Sequence, residues 1–329
     1  MKSFQTQTAY RFLLQFIVLV VCWALVHAAP AYAVIRYVKP TATGTGDGSS
    51  WANASANLQA MINASAAADE VWVAAGTYKP TAYPTGCTGC STNRDYAFHL
   101  KNGVKLYGGF AGTETAVSQR NISANPTILS GDFNGNDVVT GSGSTLSITG
   151  ITENAYHVVL SVADDATTIL DGFTVTGGHA SVSGSITVEG NGIVRDYGGG
   201  MFNRNTSPTI TNATFSGNPA SSGGGMYNNG SSPIITNATF IGNTATNSGG
   251  GMYNSNSSYP SITNTTFSGN AAGQGGGMFN FDSSSPTITN ATFSGNAANV
   301  GGGIYNGGSS PSITNTTFSG NTANIGGGM

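Results

Sequence analysis

The sequence predicts an all-β solenoid, and three observations carry that expectation. The first is a repeated phrase: from Gly198 onward the chain reads "GGGMFNRNTSPTITNATFSGN", then "GGGMYNNGSSPIITNATFIGN", "GGGMYNSNSSYPSITNTTFSGN", "GGGMFNFDSSSPTITNATFSGN" and "GGGIYNGGSSPSITNTTFSGN". The second is its period, because Met201, Met226, Met252, Met278, Ile304 and Met329 recur every 25 or 26 residues. The third is composition: the 329 residues include 48 glycines and only 8% charged side chains, and beyond Phe202 the charged residues are Arg204 and Asp282. Three short strands and three turns fill such a repeat, which makes it one rung of a parallel β-helix stacked about 4.8 Å above the last. A four-stranded propeller blade needs about 40 residues or more, so the period excludes it.

Taken in order, the chain opens with Lys2 and Arg11 ahead of an apolar stretch from Phe12 to Ala28, followed by "AYA" at Ala31 to Ala33. Residues 1–33 therefore read as an export signal peptide cleaved after Ala33, with an uncleaved anchor as the alternative. No later stretch is apolar enough to span a bilayer, so the mature chain is expected to have no membrane span. With 11 Lys and Arg against 14 Asp and Glu there is no basic face for a nucleic acid. Residues 34–95 begin with the strand "VIRYVKP" and continue through a turn-rich loop. A short helix over about residues 54–67 follows, with Leu58, Met61 and Ile62 at helical spacing, and is expected to cap the N-terminal end. Cys87 and Cys90 lie in a Pro/Gly-rich loop, where they form a local disulfide or remain two loop cysteines. Two thiols fall short of a zinc site.

Residues 96–197 read as irregular rungs interrupted by two excursions, at 131–144 and 179–197. The regular array occupies 198–329 and breaks off at Met329 inside a strand, so the chain is expected to be a truncated product. In-register stacking turns each aligned position into a physical column. The Met/Ile column, the Ile210, Ile235, Ile262, Ile288, Ile313 column and the Phe215, Phe240, Phe267, Phe293, Phe318 column are expected inside. Each large apolar side chain there contributes about 1.5–3 kcal/mol. A charge in such a column would sit against its own copy, which explains the missing charge. Three asparagine columns begin at Asn203, Asn212 and Asn218 and read as rung-to-rung ladders and corner residues. The Asn-x-Thr sequons over the second column matter only in a glycosylating host. Triple glycine marks a crowded corner. Phe202, Tyr227, Tyr253, Phe279 and Tyr305 each follow an inward residue, so alternation points them outward. An exposed aromatic stripe could stack on sugar rings or on a partner protein, unless the rings stack on each other or lie beneath a loop.

The array offers one Asp and one Arg, which cannot supply the calcium-binding carboxylates and base of a polysaccharide lyase or the paired carboxylates of a glycosidase. Catalysis, if present, belongs to the irregular half. Candidates there are Asp132, Asp137 and Asp171, with Asp164, Asp165, His157, His179, Glu189, Arg195 and Asp196 beside them in sequence. Asp132, Asn134 and Asp137 in "GDFNGND" have the close oxygen spacing of a calcium loop, against the plainer reading of an Asn/Gly turn. Asp171 is placed at the corner where later rungs carry asparagine, as a ladder residue. The histidines read as structural. Thr209 with Thr211 and Thr287 with Thr289, echoed by Ser261/Thr263 and Ser312/Thr314, suggest a water-ordering face, as in ice-binding proteins, but Ile234 interrupts the column.

The "GGGM" and "GGGI" starts paired with F-x-x-N, as in "FSGN" at Phe215 to Asn218 and "FIGN" at Phe240 to Asn243, resemble the GGA(I/L/V) and FxxN repeats of polymorphic outer membrane proteins. The segments "LDGFTVTGG" and "ADEVWVAAGTY" resemble the wider right-handed parallel β-helix superfamily that includes pectate lyases. The resemblance implies a right-handed coil, export and display on the outer surface of a bacterium or secretion, with an adhesive role toward an extracellular glycan or a host or neighbour-cell protein. No cofactor is expected apart from a possible calcium ion. The expected function is a non-enzymatic scaffold, with a carbohydrate-active enzyme of the pectate-lyase-like superfamily as the alternative and an ice-binding β-helix as a lesser one.

Overall fold

A computed structural model describes residues 33–329; the export segment expected over 1–33 lies outside them save for Ala33. From Ile35 onward the chain winds through three long parallel sheets. Among the described residues the first sheet has nine strands, from Ile35–Val38 through Ile169–Asp171 and Thr209–Thr211 to Ser312–Thr314. The second has eight, from Gly76–Tyr78 to Thr317–Ser319, and the third has seven, from Phe98–His99 to Ile304–Gly307.

The repeat explains the register. Met226 pairs with Met201 below and Met252 above, Ile235 with Ile210 and Ile262, and Phe240 with Phe215 and Phe267. All of these side chains are fully buried, as the inward columns require. The phenylalanine rings stack face to face at 4.6–5.1 Å with interplanar angles of 1–10°. Identical rings stacked at nearly one spacing continue the core from rung to rung, the packing that makes a repeated core specific.

Corners are set by backbone chemistry. Between the first and second sheets the chain turns at Asn212, Asn237, Asn264, Asn290 and Asn315, all in the left-handed region with φ of 48–54°, which asparagine tolerates better than most residues. The inner corner after the second sheet is held by Asn218, Asn243, Asn270 and Asn296, each fully buried. A third amide ladder runs up the inside of the third sheet: Asn203 Nδ2 donates to Asn228 Oδ1 at 2.7 Å, and the pattern repeats through Asn254, Asn280 and Asn306.

Helix α1 is Leu58–Ala64, shorter than the expected 54–67. Asn57 caps it by accepting from the Ala60 amide, and Ser65 ends it in extended backbone. Residues 51–53 form a separate 3-10 turn. Leu58 and Ile62 enter the main core with Val38, Val71 and Phe98, so α1 packs over the first rung.

Both excursions fold into hairpins. Val138–Thr140 pairs with Ser147–Thr149, and this hairpin lies along the outer glycine corner after the second sheet. The Gly143 amide donates to Gly269 O at 3.0 Å. A Cβ at Gly217 would lie 3.1 Å from Val139, and one at Gly143 would lie 2.5 Å from Gly295 O. The strap thus spans four successive rungs. The second hairpin, Ser185–Val188 with Asn191–Val194, covers the outer face of the third sheet.

Candidate functional site

The aromatic column is where structure and sequence part. Phe202, Tyr227 and Phe279 do project from the outer face of the third sheet, yet they are 0%, 4% and 5% exposed. Tyr253 and Tyr305 are half-buried. Phe202 and Tyr227 lie in a second apolar cluster with Leu160, Val162, Ile186, Val188 and Ile193, roofed by the second hairpin and by Cys87 and Cys90. Farther up, the rings cover each other: Phe279 and Tyr305 stack at 5.2 Å and 7°, and Phe279 meets Phe281 at 5.9 Å and 22°. The expected open stripe is therefore corrected to a covered column, because alternation fixes which face a side chain takes and not what returns to cover it.

The roof is tied to the coil by polar contacts. Cys87 and Cys90 form a disulfide. Within its loop Thr88 exchanges two backbone hydrogen bonds with Thr187 of the hairpin, at 2.8 and 2.9 Å. Arg195, just past the hairpin, donates from Nε and Nη2 to the Asp95 carboxylate at 2.6 and 3.0 Å, and from Nη2 to Gly89 O at 2.9 Å. Asp95 is buried, and its carboxyl is lowered because the Arg195 bond and the Ser91 and Thr92 amides outweigh burial.

Asp132 and Asp137 lie near each other and near Glu153, and Asp171 lies at a separate corner. Asp132 accepts from the Gly135, Asn136 and Asp137 amides at 2.5, 3.3 and 3.1 Å, so its carboxylate closes its own turn. Asn134 is exposed on that turn, and Asp137 accepts from Asn154 Nδ2 at 2.8 Å. Burial raises the Asp137 carboxyl, with Asp132 and Glu153 adding to the effect. The oxygens of Asp132 face backbone amides, which does not suit a cation. Among the described residues no group of three or more His, Cys, Asp or Glu is arranged to hold a metal.

Asp171 lies at a different corner, ion-paired with Arg120, and its Oδ1 accepts from Asn212 Nδ2 at 2.8 Å. Its ladder contact holds, but its register is corrected by one residue. Asp171 pairs with Thr211, and Gly172, with φ of 84°, takes the corner that asparagine occupies above. The two candidates of the "GDFNGND" loop and Asp171 thus serve separate turns.

The remaining candidates are placed as follows. His157 is buried against Phe202, with ring centroids 5.4 Å apart, and burial pushes its pKa down to about 4. Asp165 caps its own loop by accepting from the Thr167 amide at 2.8 Å. Glu189 is exposed at the hairpin tip with φ of 49°. Asp196 is half-buried, and its carbonyl accepts from the Ser221 amide at 2.9 Å. On the first sheet's outer face Ile234, 41% exposed, interrupts the hydroxyl column of Thr209, Ser261, Thr287 and Ser312.

Asp164 is buried, and no cation pairs with it among the described residues. It bonds Ser161 Oγ at 2.6 Å, and its amide donates to Thr206 Oγ1 at 2.9 Å. Burial pushes its pKa from 3.8 up to about 6 despite the Ser161 bond, with Glu189 and Asp165 adding to the rise. Between these two values the unfolded chain has released a proton that the fold retains, so stability falls as pH rises from about 4 to about 6 and then levels off. Relative to the parent, Asp164→Asn is expected to be about 1–3 kcal/mol more favourable at pH 8 than at pH 3.5. Urea unfolding at both pH values measures this; an offset independent of pH would refute it.

Sequence reasoning missed Arg94, Tyr156 and Tyr197. Arg94 lies 4.2 Å above the Tyr156 ring, and Tyr197 packs edge-on against Tyr227 at 5.0 Å. The available signal was scarcity: with so few cations in the chain, each buried arginine has a task.

Three parallel sheets, inward columns and amide ladders define a right-handed parallel β-helix. Residues 168–323 match the model of the family described as "Right handed beta helix region". The crystal structure of pectate lyase Pel9A is similar in fold, with a TM-score of 0.53 at 14% identity over 86% of this chain. The match covers 62% of that lyase chain. No curated protein matches in sequence.

Proposed function

We propose that this chain is an exported, non-enzymatic β-helix scaffold of the cell surface or surroundings, adhesin-like in use. The observation that carries this reading is how the carboxylates are engaged: Asp132 closes a turn, Asp171 pairs with Arg120, Asp95 pairs with Arg195 and Asp164 bonds Ser161. An enzyme of this architecture needs acidic groups converging on one bond or one cation. The regular array supports the same reading, since its outer faces repeat Thr, Ser and Asn over five rungs with little charge. The likeness of its repeats to those of polymorphic outer membrane proteins adds surface display.

The test is incubation of the exported chain with acidic and neutral polysaccharides, with and without calcium, scoring new chain ends and retention on the polymer. Retention without new ends is the expected result. Cleavage that disappears in Asp132→Ala or Asp171→Ala would replace the scaffold with the lyase or hydrolase alternative.

A further inference from the structure

The strap joins the coil through two legs, and a carboxyl and an amide meet at their base. Asp137 immediately precedes its first strand, Val138–Thr140, and Asn154 follows its second, Ser147–Thr149. Asn154 Nδ2 donates to Asp137 Oδ2 at 2.8 Å. The other oxygen of each group, Asp137 Oδ1 and Asn154 Oδ1, is buried with no hydrogen-bond partner among the described residues. Asn154 is fully buried, and a Cβ at Gly177, just past the second-sheet strand Phe173–Thr176, would lie 3.3 Å from Asp137 Oδ2. With its amide oriented by its neighbours, Asn136 donates to Glu153 Oε1 and to Gly150 O at 3.3 Å, a second bridge between the legs.

Two buried acceptors without a donor, in groups already bonded to each other, are unfavourable, and one proton satisfies both. A neutral carboxyl donates at one oxygen and accepts at the other, and a primary amide also offers one of each, so the two groups can close through two hydrogen bonds. Asn154 Nδ2 supplies the first. A proton on Asp137 Oδ1 supplies the second, to Asn154 Oδ1.

The surrounding charges favour that proton. Burial disfavours the ionised form of Asp137 and Asp132 and Glu153 repel it, which together outweigh the Asn154 bond and Lys79 and raise the carboxyl. Lys79 donates to Phe133 O at 3.1 Å, and Asp132 accepts from three amides of the loop, that of Asp137 among them. On the other leg Arg94 Nε donates to Asn154 O at 2.7 Å, and His179 Nδ1 lies 2.7 Å from Ile151 O. Burial holds the His179 pKa below its ordinary value.

We propose that Asp137 and Asn154 form a proton-operated latch at the base of the strap: with Asp137 neutral the pair closes through two hydrogen bonds and holds both legs, and loss of the proton leaves two buried oxygens without a donor and loosens them. The only covalent change is at the O–H bond, whose proton passes to solvent. Because the fold raises this carboxyl, the closed latch adds stability in acid, and that stability is lost as pH rises through the folded value. The strap is tight in acidic surroundings and looser in neutral ones. The latch goes beyond the scaffold reading, which it neither uses nor tests.

Hydrogen exchange of the exported chain and its Asp137→Asn variant at about pH 4 and about pH 8 tests the proposal. Asparagine at 137 is expected to keep both hydrogen bonds at either pH, since a second amide both donates and accepts. Residues 138–149 are expected to exchange alike in the two proteins at the lower pH. At the higher pH they are expected to exchange about tenfold faster in the parent, the scale of one buried hydrogen bond lost. In the parent alone, the carboxyl carbon resonance of Asp137 is expected to titrate above the ordinary aspartate value, a measurement that needs no variant to fold. A carboxyl titrating at or below that value, or a ratio of strap exchange between parent and variant that does not change with pH, overturns the proposal.

Discussion

Replacing Asn270 by alanine is expected to destabilise the fold by about 2–4 kcal/mol, although it removes neither a charge nor an apolar contact of any size. Asn270 is fully buried. Its Oδ1 accepts from both the amide and the Nδ2 of Asn243, at 3.0 and 3.1 Å, and its Nδ2 donates to Phe240 O and Asn296 Oδ1, both at 2.9 Å. One truncation therefore strips partners from two rungs at once, and buried polar groups left unpaired cost more than the bond contributes when made. Asn264 is the control. It is exposed and bonds Asn237 Oδ1 at 3.2 Å, and its φ of 51° is one that glycine accepts. Asn264→Gly is expected to stay within about 0.5 kcal/mol of the parent. Equilibrium urea unfolding of the two variants provides the comparison; equal losses would show that the inner ladder has no special weight.

Gly251→Ala is expected to cost about 3 kcal/mol or more, and to abolish folding in the less stable backgrounds. Gly251 does not need a left-handed backbone; what excludes a side chain there is space. Its Cβ would lie 2.4 Å from Gly277 O on the rung above and 3.0 Å from Phe267 Cδ1. The obstacle is backbone, which cannot swing aside as a flexible side chain can. Gly308 has the opposite constraint, with φ of 68° and nothing within 4 Å of where a methyl would sit. Gly308→Ala is expected to cost only about 1–2 kcal/mol, the penalty for the left-handed region. Thermal unfolding of the pair separates crowding from conformation, and a Gly251→Ala variant as stable as Gly308→Ala would contradict the assignment.

The two substitutions also mark how far the sequence could be followed. Asn270 and Gly251 belong to columns, and a column is legible because stacking at constant register converts a one-dimensional repeat into contacts: Phe240 meets Phe267 because each occupies the same place in its own rung. Where the repeat lapses, so does the inference. The segment "LDGF" lacks the asparagine of "ITNATF", and its glycine rather than its aspartate takes the left-handed corner. Alternation correctly put Phe202 and Tyr227 on the outer face, but the hairpin at 185–194 that buries them belongs to no period. The Arg195–Asp95 pair joins residues 100 positions apart, and Arg94 meets His179 across 85. Contacts of that kind depend on the path of the irregular rungs, which composition and spacing do not encode.

The strap formed by residues 138–149 bears on the order of folding. A solenoid whose rungs touch only their neighbours can grow or fray one unit at a time. This strap precedes in the chain every one of the regular rungs it clasps, from Gly217 to Gly295. As the chain emerges from its N-terminus, the hairpin has nothing to clasp until those rungs have wound beside it. Its closure is a late, long-range event, with the high loop-closure entropy that slows such contacts. Once closed, it makes four otherwise separable rungs open together or not at all, so the middle of the coil behaves as one cooperative block.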